Sequence, residues 1–335
     1  MRLAEIRSDF DRLSTSVQPL VDGDISDQVH NRFSIRRHDG LKRRLMRQAS
    51  VWAAPHTSRR AQRRVGLQLS FEYDHMFIGE RFADDCSLSA LISLLPQTLD
   101  DVLLPGCYIG GEDAQFWLRR GVRHLAGCDV YSLKSKWDKN VPQLERTFGA
   151  KVDFRQGSVE DLPYEDESFD LIATTAVLEH VRNIEAMSGE TARVLRPGGI
   201  CWHTFGPLYY SYGADHCISA YGNEHGYDHL LLSEDEYQSL IGDQEFFDTQ
   251  ADSNLPFWAR NAQFSFATAQ HYLEVMGRDF DVEHLVVKIS SDGLIYRQQY
   301  PENWMRLLDA GVRAEELLIK SLAITMTQRT RMPRK

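Results

Sequence analysis

The chain has 335 residues, of which 42% are hydrophobic and 26% are charged, with 22 glycines and 11 prolines. This composition is typical of a globular protein and excludes collagen-like, disulfide-scaffold and wholly disordered chains. The formal net charge of −10 argues against a protein whose whole surface binds nucleic acid or anionic lipid.

The positive charge is concentrated near the N-terminus. Between Arg36 and Arg64 ten lysines and arginines stand against one acid, Asp39, so this segment carries +9 and the rest of the chain −19. Such a segment can be a solvated helix face, a contact with an acidic neighbouring subunit, a gate over a ligand or a phosphate-binding surface. Because Trp52 is its one aromatic residue, base stacking has little support. We expect no nucleic-acid partner and predict a homo-oligomer held through this basic arm.

Residues 1–85 are predicted to form a basic helical cap. Within them Leu41–Ala53 is predicted to be an amphipathic helix, because apolar residues recur at three- and four-residue steps. These residues are Leu41, Leu45, Ala49 and Trp52.

The cysteines and the apolar runs indicate the cellular compartment in which we expect the protein. The five cysteines are odd in number, widely spaced and without a CxxC pair, which favours reduced thiols in the cytoplasm. The first residues are charged and lack an apolar core, so no secretory signal is predicted. The longest uncharged run, Pro197 to Ala214, contains proline and several glycines and is not typical of a membrane helix. No membrane segment is expected.

Residues 86–205 alternate between short apolar runs and helical patterns. Helices are predicted at Ser87–Leu95, Glu112–Arg120, Lys136–Phe148 and Ile184–Leu195, the second closed by Gly121. Strands are predicted at Val102–Pro105, His124–Val130, Val152–Arg155, Phe169–Thr174 and Ile200–Phe205. Strands separated by helices of this length predict βαβ units and an α/β fold with a doubly wound, mostly parallel sheet.

The alternation stops after Phe205. Residues 206–283 are predicted to be an insertion, with a tyrosine- and histidine-rich stretch followed by helices at Ser233–Ile241 and Ala262–Met276. Residues 284–335 are predicted to complete the sheet with strands at His284–Ser290 and Glu316–Thr327.

Two segments of the core predict a nucleoside site. Val102–Asp113 joins an apolar strand to a helix through a turn with Gly106, where glycine lets a ligand approach the main chain and the helix start offers free N–H groups. Asp129 ends the next strand, 23 residues after Gly106. In doubly wound sheets an acid about 20 residues after the glycine turn binds the ribose hydroxyls of a nucleoside. The two features together are more specific than either alone.

Three further segments carry a family resemblance. They are GSVEDLPYEDESFDLI at Gly157–Ile172, AVLEHV at Ala176–Val181 and RVLRPGG at Arg193–Gly199. In order and spacing, residues 100–205 resemble the class I S-adenosylmethionine-dependent methyltransferases, in the subgroup with LPF-D-SFD, LEHV and RVLKPGG segments. The resemblance implies a Rossmann-like core, S-adenosylmethionine as cofactor and methyl transfer as the reaction.

The resemblance also implies roles for residues at matching positions. The turn formed by Gly106, Cys107, Tyr108 and Gly110 would pass under the methionine and ribose parts of the cofactor. Asp129 would bind the ribose hydroxyls and Val130 would pack on the adenine. The remaining implied contacts are Ser158 and Val159 at the edge of the adenine, and Thr175 and Ala176 near the methionine end.

This sequence departs from the family pattern at three positions. Leu104 stands where the family usually has an acid that holds the cofactor ammonium group, and Tyr108 stands where a second glycine is usual. Ser158 replaces the more frequent aspartate. The turn LPGC, followed by GGED, looks like that of thiopurine-methyltransferase-like enzymes, in which a downstream acid takes over. Glu112 or Asp113 would then replace the missing acid.

The acceptor side is predicted from the stretch after the fifth strand. Seven aromatic residues lie between Trp202 and Tyr227, as expected of an acceptor-side lid or, equally, of a layer covering the sheet edge. His216 is predicted to be the proton acceptor with Tyr210 as its helper, and His180 is the alternative. His203 is expected to be a core residue.

A histidine pair in the same stretch has a spacing that some metal sites share. His225 and His229 are four residues apart with an acid between them, but Gly226 disfavours the helix that would place both on one face. We therefore predict no metal.

The function predicted from the sequence is S-adenosylmethionine-dependent methyl transfer to oxygen or nitrogen of a small or medium metabolite, in a cytoplasmic enzyme. One alternative is a catalytically silent methyltransferase-like module, suggested by Leu104, Tyr108 and Ser158. The other is an RNA methyltransferase that uses the basic arm.

Overall fold

The computed structural model describes residues 74–79, 83–216, 222–241 and 264–329, together with positions 45, 49, 52 and 53. Most of the predicted helix at Leu41–Ala53, and the basic arm as an oligomer contact, lie outside these residues. The four described positions are helical, and the side chains of Leu45 and Trp52 are 55% and 78% exposed. In the described part of the chain no helix is both long and apolar enough to cross a membrane.

The described strands form one mixed sheet of eight, with order β1-β7-β8-β6-β5-β2-β3-β4. Among these described strands, β8 runs antiparallel to both of its neighbours, β6 and β7. All the other neighbouring pairs are parallel. The strands are β1 His75–Ile78, β2 Asp101–Pro105, β3 His124–Asp129, β4 Lys151–Gln156, β5 Phe169–Thr175, β6 Leu195–Phe205, β7 Phe280–Ile289 and β8 Ile319–Gln328.

The helices of the described residues are numbered separately from the strands, in chain order. They are α1 Ala83–Leu94, α2 Glu112–Leu118, α3 Lys134–Phe148, α4 Ile184–Val194, α5 Asp228–Leu231, α6 Glu234–Ile241, α7 Ala269–Asp279, α8 Ser291–Gln299, α9 Pro301–Asp309 and α10 Ala314–Leu318. Gly121, with φ of +85°, follows α2 in the left-handed conformation that was predicted for it. Single 3₁₀ turns lie at Leu178–His180 and Asn223–His225.

Both faces of the sheet are buried, which is why its strands read as continuous apolar runs. In β2, Val102 and Leu104 belong to the hydrophobic cluster on one face, whereas Leu103 belongs to the cluster on the other. Trp137 of α3 packs in the first cluster, and Tyr272 of α7 packs in the second. Helices therefore cover both faces, and the predicted doubly wound, mostly parallel α/β fold is confirmed.

Two predicted boundaries near the C-terminus were wrong. The run Glu316–Thr327 is not strand throughout, because Glu316 lies in α10 and its buried carboxylate accepts hydrogen bonds from the Ala269 and Gln270 amides. The helix predicted at Ala262–Met276 begins only at Ala269, where the Thr268 side chain caps it by accepting the His271 N–H. Residues 262 and 263 lie outside the described residues.

Candidate cofactor and active site

A cavity of ≈ 580 Å³ lies at the carboxyl ends of the parallel strands β2, β3, β4 and β5. We call it the central cavity. Open α/β sheets bind their ligands at this edge. Residues predicted to contact a cofactor or acceptor line it: Gly106, Tyr108, Asp129, Val130, Ser158, Val159, Thr175, Ala176 and His180. Its other lining residues are Asp113, Cys128, Tyr131, Gly157, Glu160, Val177 and Val181.

The turn after β2 needs glycine at its first position. Gly106 has φ of +70°, and a Cβ there would lie 2.3 Å from Cγ2 of Val177, another residue of the central cavity. The Gly106 and Cys107 amides both donate to the Cys128 carbonyl, at 2.7 and 3.1 Å, which fixes the turn to the end of β3. A side chain at position 106 would therefore displace Val177 from the cavity wall.

Tyr108 adopts the left-handed conformation that a glycine would adopt more easily, with φ of +48°. Its amide donates to Oδ2 of Asp129 at 3.0 Å, and its carbonyl accepts from the indole of Trp137 at 2.6 Å. Asn140, one helical turn after Trp137 in α3, donates to the Ile109 carbonyl at 2.8 Å. These bonds hold the turn in its conformation although the usual second glycine is missing.

Asp129 is the buried acid of the central cavity. Its two carboxylate oxygens accept the amides of Tyr108 and Tyr131, both at 3.0 Å. An ionised carboxylate has about four acceptor sites, so these two amides alone do not saturate its oxygens. The position and chemistry of Asp129 fit the ribose-binding role that the sequence predicts for it.

The cavity wall after β3 and β4 combines an exposed valine with short polar groups. The Val130 side chain is 55% exposed and lines the cavity, whereas Val159 is buried. The Ser158 hydroxyl accepts the Glu160 amide at 3.1 Å. An exposed apolar side chain next to Asp129 is a surface on which a flat aromatic ring can pack. Sequence reasoning missed Tyr131 and Glu160, although each lies within two residues of a predicted contact.

The position of the missing acid is filled by a core residue. Leu104 is buried in the hydrophobic cluster of β2, so no carboxylate arises from that position. Asp113 in the first turn of α2 lines the central cavity instead, as the sequence allowed. Nothing is described of the Glu112 side chain.

Two predicted contacts of the turn, Cys107 and Gly110, are not among the residues lining the cavity. Cys107 is buried, and burial raises the pKa of its thiol. Gly110 has φ of +72°, and a Cβ there would lie 2.2 Å from the Phe154 ring. Gly110 thus permits the close packing of the turn on β4.

The two histidines predicted as alternative proton acceptors, His180 and His216, lie side by side. His180, in the 3₁₀ turn after β5, lines the cavity, and its ring centroid is 5.5 Å from that of His216. His216 is exposed and has φ of +59°. Ala176, with φ of +54°, donates its amide to the Thr204 carbonyl and so fixes the start of the loop that carries His180. The pair is close enough for one imidazole to orient the other.

Tyr210, the predicted helper of His216, is not among the residues lining the cavity. Its ring packs edge-on against Tyr209 at 4.9 Å, and Tyr209 in turn contacts Phe264 and Phe266. The Arg182 guanidinium lies 5.1 Å above the Phe266 ring. Tyr209, Tyr210, Phe264 and Phe266 therefore form an aromatic layer whose side chains pack mainly on one another.

The remaining histidines of this region have structural partners. His203 is buried in β6 and bonded to the Thr174 hydroxyl at 2.8 Å, as expected for a core residue. His225 Nδ1 is 2.6 Å from a carboxylate oxygen of Asp228, whereas His229 Nε2 is 2.8 Å from the Tyr209 carbonyl. The two rings are thus directed at different partners.

Comparison with known families agrees with this geometry. Residues 103–203 match a methyltransferase domain. The matched segment runs from β2 to β6 and contains the glycine turn, Asp129 and His180. It covers under a third of the chain and includes the residues that line the central cavity, but not the segments on either side.

Curated relatives of the chain are methyltransferases with different acceptors. The sterol 24-C-methyltransferase of Schizosaccharomyces pombe is 27% identical over 145 residues, which cover 40% of this chain and 36% of that protein. The norajmaline N-methyltransferase of Rauvolfia serpentina is 30% identical over 31% of this chain and 34% of that protein. The ubiquinone biosynthesis O-methyltransferase of Agrobacterium fabrum is 40% identical over 16% and 22%, respectively. The chain spans about a third or less of the length of these relatives.

Solved structures with a similar fold include further methyltransferases. An S-adenosylmethionine-dependent methyltransferase from Methanosarcina mazei is 17% identical, covers 72% of this chain and 97% of its own, and gives a TM-score of 0.44. The geranyl diphosphate C-methyltransferase of Streptomyces coelicolor is 14% identical, with coverages of 72% and 79% and a TM-score of 0.42. No function follows from likenesses at this level.

Proposed function

We propose that the protein transfers the methyl group of S-adenosylmethionine to an oxygen or nitrogen atom of a small or medium metabolite. The observation that carries the proposal is the central cavity, which joins the Gly106 turn, the buried Asp129 carboxylate and the imidazole of His180 in one space. When bound, S-adenosylmethionine supplies an electrophilic methyl group on its sulfonium. The names of the curated relatives span carbon, nitrogen and oxygen acceptors, so the acceptor atom rests on the histidine pair alone.

The residues of the cavity fit this cofactor by their chemistry. Asp129 offers acceptor capacity for the two ribose hydroxyls, and Val130 offers an apolar surface for the adenine. Asp113 lines the cavity and is the acid that we assign to the ammonium group, in place of the usual acid at position 104. The glycine turn lets the ligand approach the main chain at Gly106.

The histidine pair would serve the acceptor. Methyl transfer requires the acceptor atom to be held near attack distance with water excluded. An oxygen or nitrogen acceptor also loses a proton, which an imidazole near neutral pH is well suited to accept. His180 lies on the cavity wall and His216 stands beside it, so we assign proton acceptance to this pair.

Transfer of a labelled methyl group tests the proposal. The protein is incubated with S-adenosylmethionine labelled in the methyl group and with the small-molecule filtrate or the macromolecular fraction of cell extracts. We expect label in the small-molecule fraction, and a loss of at least about tenfold in rate for His216→Gln. Binding of S-adenosylhomocysteine should be unchanged in that variant, because His216 is not among the residues that line the cavity.

The control is His271→Gln, which changes a partly exposed histidine on α7 and should keep the full rate. Label in RNA or protein alone, or in neither fraction, would contradict a small-molecule acceptor. Equal rates for His216→Gln and His271→Gln would contradict a role of His216 in proton acceptance.

A further inference from the structure

A second cluster of reactive side chains lies at the opposite edge of the sheet from β4. It consists of His75 in β1, Cys86 in α1 and His284 in β7. One ring nitrogen of each histidine and the sulfur of Cys86 all lie within 4.8 Å of one another. Strands β7, β8 and β6 separate β1 from the strands whose ends line the central cavity, so this cluster is not part of that site.

The fold brings the three residues together from distant parts of the chain. His75 is paired in register with Val286, and His284 precedes Val286 by two residues, so both histidines point to the same face of the sheet. A bulge between Val282 and His284 inserts Glu283 directly before His284, and such bulges redirect side chains. Helix α1 covers this face and packs Cys86 against Val286.

The two imidazoles leave buried nitrogen atoms without a hydrogen bond. His75 Nδ1 and His284 Nε2 are 3.0 Å apart and bond to each other. The other two nitrogens, His75 Nε2 and His284 Nδ1, are buried and have no hydrogen-bond partner among the described residues. In two neutral imidazoles joined by one hydrogen bond, one outer nitrogen is an N–H and the other is a lone pair. A buried, unpaired nitrogen lone pair is costly, and a metal ion is one ligand that it can bind.

The surroundings of the cluster favour a cation. Asp74 accepts the Leu285 amide through Oδ2 at 2.8 Å, which fixes its carboxylate beside His284. It interacts electrostatically with His75, Cys86 and His284 alike. Cys86 is a free thiol with 1% of its surface exposed. Two imidazoles, one thiol and a nearby carboxylate are ligands that zinc prefers.

We propose that His75, Cys86 and His284 bind a divalent transition-metal ion of the zinc type. In a tetrahedral zinc site the ligand atoms are about 3.4–3.6 Å apart, which follows from Zn–N and Zn–S lengths of about 2.0–2.3 Å. The present separations reach that range through side-chain movements of about an ångström. On binding, the Cys86 thiol loses its proton to solvent and coordinates as the thiolate. The hydrogen bond between the rings breaks, and each neutral imidazole binds the ion through its lone-pair nitrogen while its other nitrogen keeps the proton.

A metal ion bound here would link β1 and α1 to β7, which lies much later in the chain. Cys86 and His284 are nearly 200 residues apart in sequence, and β1 has only four residues paired with β7. A shared ion would hold β1 and α1 on β7, so it would act on stability rather than on methyl transfer.

The test is a titration of the full-length, metal-free protein with Co²⁺, followed by competition with Zn²⁺. We expect one equivalent to bind, with a thiolate-to-cobalt charge-transfer band that Zn²⁺ abolishes. Cys86→Ala should lose the band, and His284→Gln should weaken binding at least tenfold. The thermal midpoint should rise on adding Zn²⁺ in the unmodified protein, rise less in His284→Gln and stay constant in Cys86→Ala.

Matched controls change a cysteine and a histidine outside the cluster, Cys201→Ala in β6 and His124→Gln in β3. Both should keep the band and the affinity. If Cys86→Ala does not fold, His284→Gln decides the question alone. The proposal is overturned if the unmodified protein binds no stoichiometric Co²⁺, if the cluster variants bind as well as it does, or if the controls lose binding equally.

Discussion

Residues with left-handed backbone conformations shape the central cavity. Gly106 has φ of +70° without strain, whereas Tyr108, two positions later, has φ of +48° and is held there by Asp129 and Trp137. Ala176 and His216 also have positive φ, at +54° and +59°. A non-glycine residue in the left-handed backbone conformation destabilises the folded state by about 1–3 kcal/mol, and such residues are often found at functional sites. Among the described residues, three of the five non-glycine residues with positive φ thus lie in or beside the central cavity.

Replacing Gly106 separates backbone strain from loss of space. Gly106→Ala is expected to destabilise the fold by about 1–3 kcal/mol more than Gly121→Ala. Both positions have positive φ, but a Cβ at Gly106 meets Val177 at 2.3 Å, whereas none of the described atoms lies within 4 Å of a Cβ at Gly121. Urea denaturation measures the stability, and calorimetry should show weaker S-adenosylhomocysteine binding for Gly106→Ala alone. Similar effects in the two variants would contradict this account of the turn.

The buried His203 predicts a loss of stability in acid. Burial lowers the pKa of His203 to about 3, whereas the histidine of an unfolded chain has a pKa of about 6.5. Between these values the unfolded state binds one proton more, so the free energy of unfolding falls as the pH decreases. The loss from this one group is up to about 1.4 kcal/mol per pH unit.

Comparison with His203→Gln isolates that contribution. From pH 7 to pH 5 the unmodified protein should lose up to about 2 kcal/mol more stability than His203→Gln, as measured by urea denaturation at both values. The other buried histidines change the free energy of unfolding equally in both proteins, so their contribution cancels in the comparison. Parallel losses in the two proteins would mean that His203 is protonated in the folded state.

At the scale of elements, sequence periodicity predicted the centre of the sheet well. The five strands from β2 to β6 and the helices between them were predicted from the sequence pattern, because β2, β3, β5 and β6 are buried on both faces. The edge strand β4 buries Val152 on one face. Strand β1 was not predicted, since its four residues are fixed by pairing with β7 about 200 positions later. The end of α10, from Glu316 to Leu318, was predicted as strand, because the bonds of the buried Glu316 carboxylate to α7 are a contact that no local pattern encodes.

The site was predictable where chemistry follows from position along a strand. Asp129 and the Gly106 turn lie at strand ends, and parallel strands bring those ends together. The proximity of His180 and His216 was not predictable, because it depends on the path of the loop after β6. Trp137 and Asn140 were missed since their bonds to the turn need the packing of α3 to be known.

The contact between α1 and β7 contains a buried ion pair. The Lys288 ammonium, on a side chain with 2% of its surface exposed, lies 2.7 Å from a carboxylate oxygen of Asp84. Asp84→Asn is expected to cost about 3 kcal/mol, because it leaves a buried positive charge without its counter-ion. Lys288→Met combined with Asp84→Asn should recover most of that loss. Unfolding curves of the single and double variants measure the coupling, and additive losses would contradict it.

The whole molecule combines a recognisable core with added segments. The segment that matches a methyltransferase domain, residues 103–203, forms the centre of the sheet, while β1, β7 and β8 extend it on one side. A net charge of −10 is compatible with a nucleoside cofactor held by a few specific groups, since such binding needs no general positive charge. What the chain adds to the domain therefore lies in the aromatic layer after β6 and in the edge around β1.

Calorimetry with S-adenosylhomocysteine tests the central claim most directly. The unmodified protein should bind one equivalent at micromolar levels, and Asp129→Asn should weaken binding at least tenfold, because hydrogen bonds to a charged acceptor contribute about 1.5–3 kcal/mol. The control Asp138→Asn changes an exposed acid paired with Lys134 in α3 and should bind normally. Circular dichroism and the thermal midpoint verify that Asp129→Asn is folded. Absence of binding, or equal affinity in the Asp129 and Asp138 variants, would contradict a cofactor site at the central cavity.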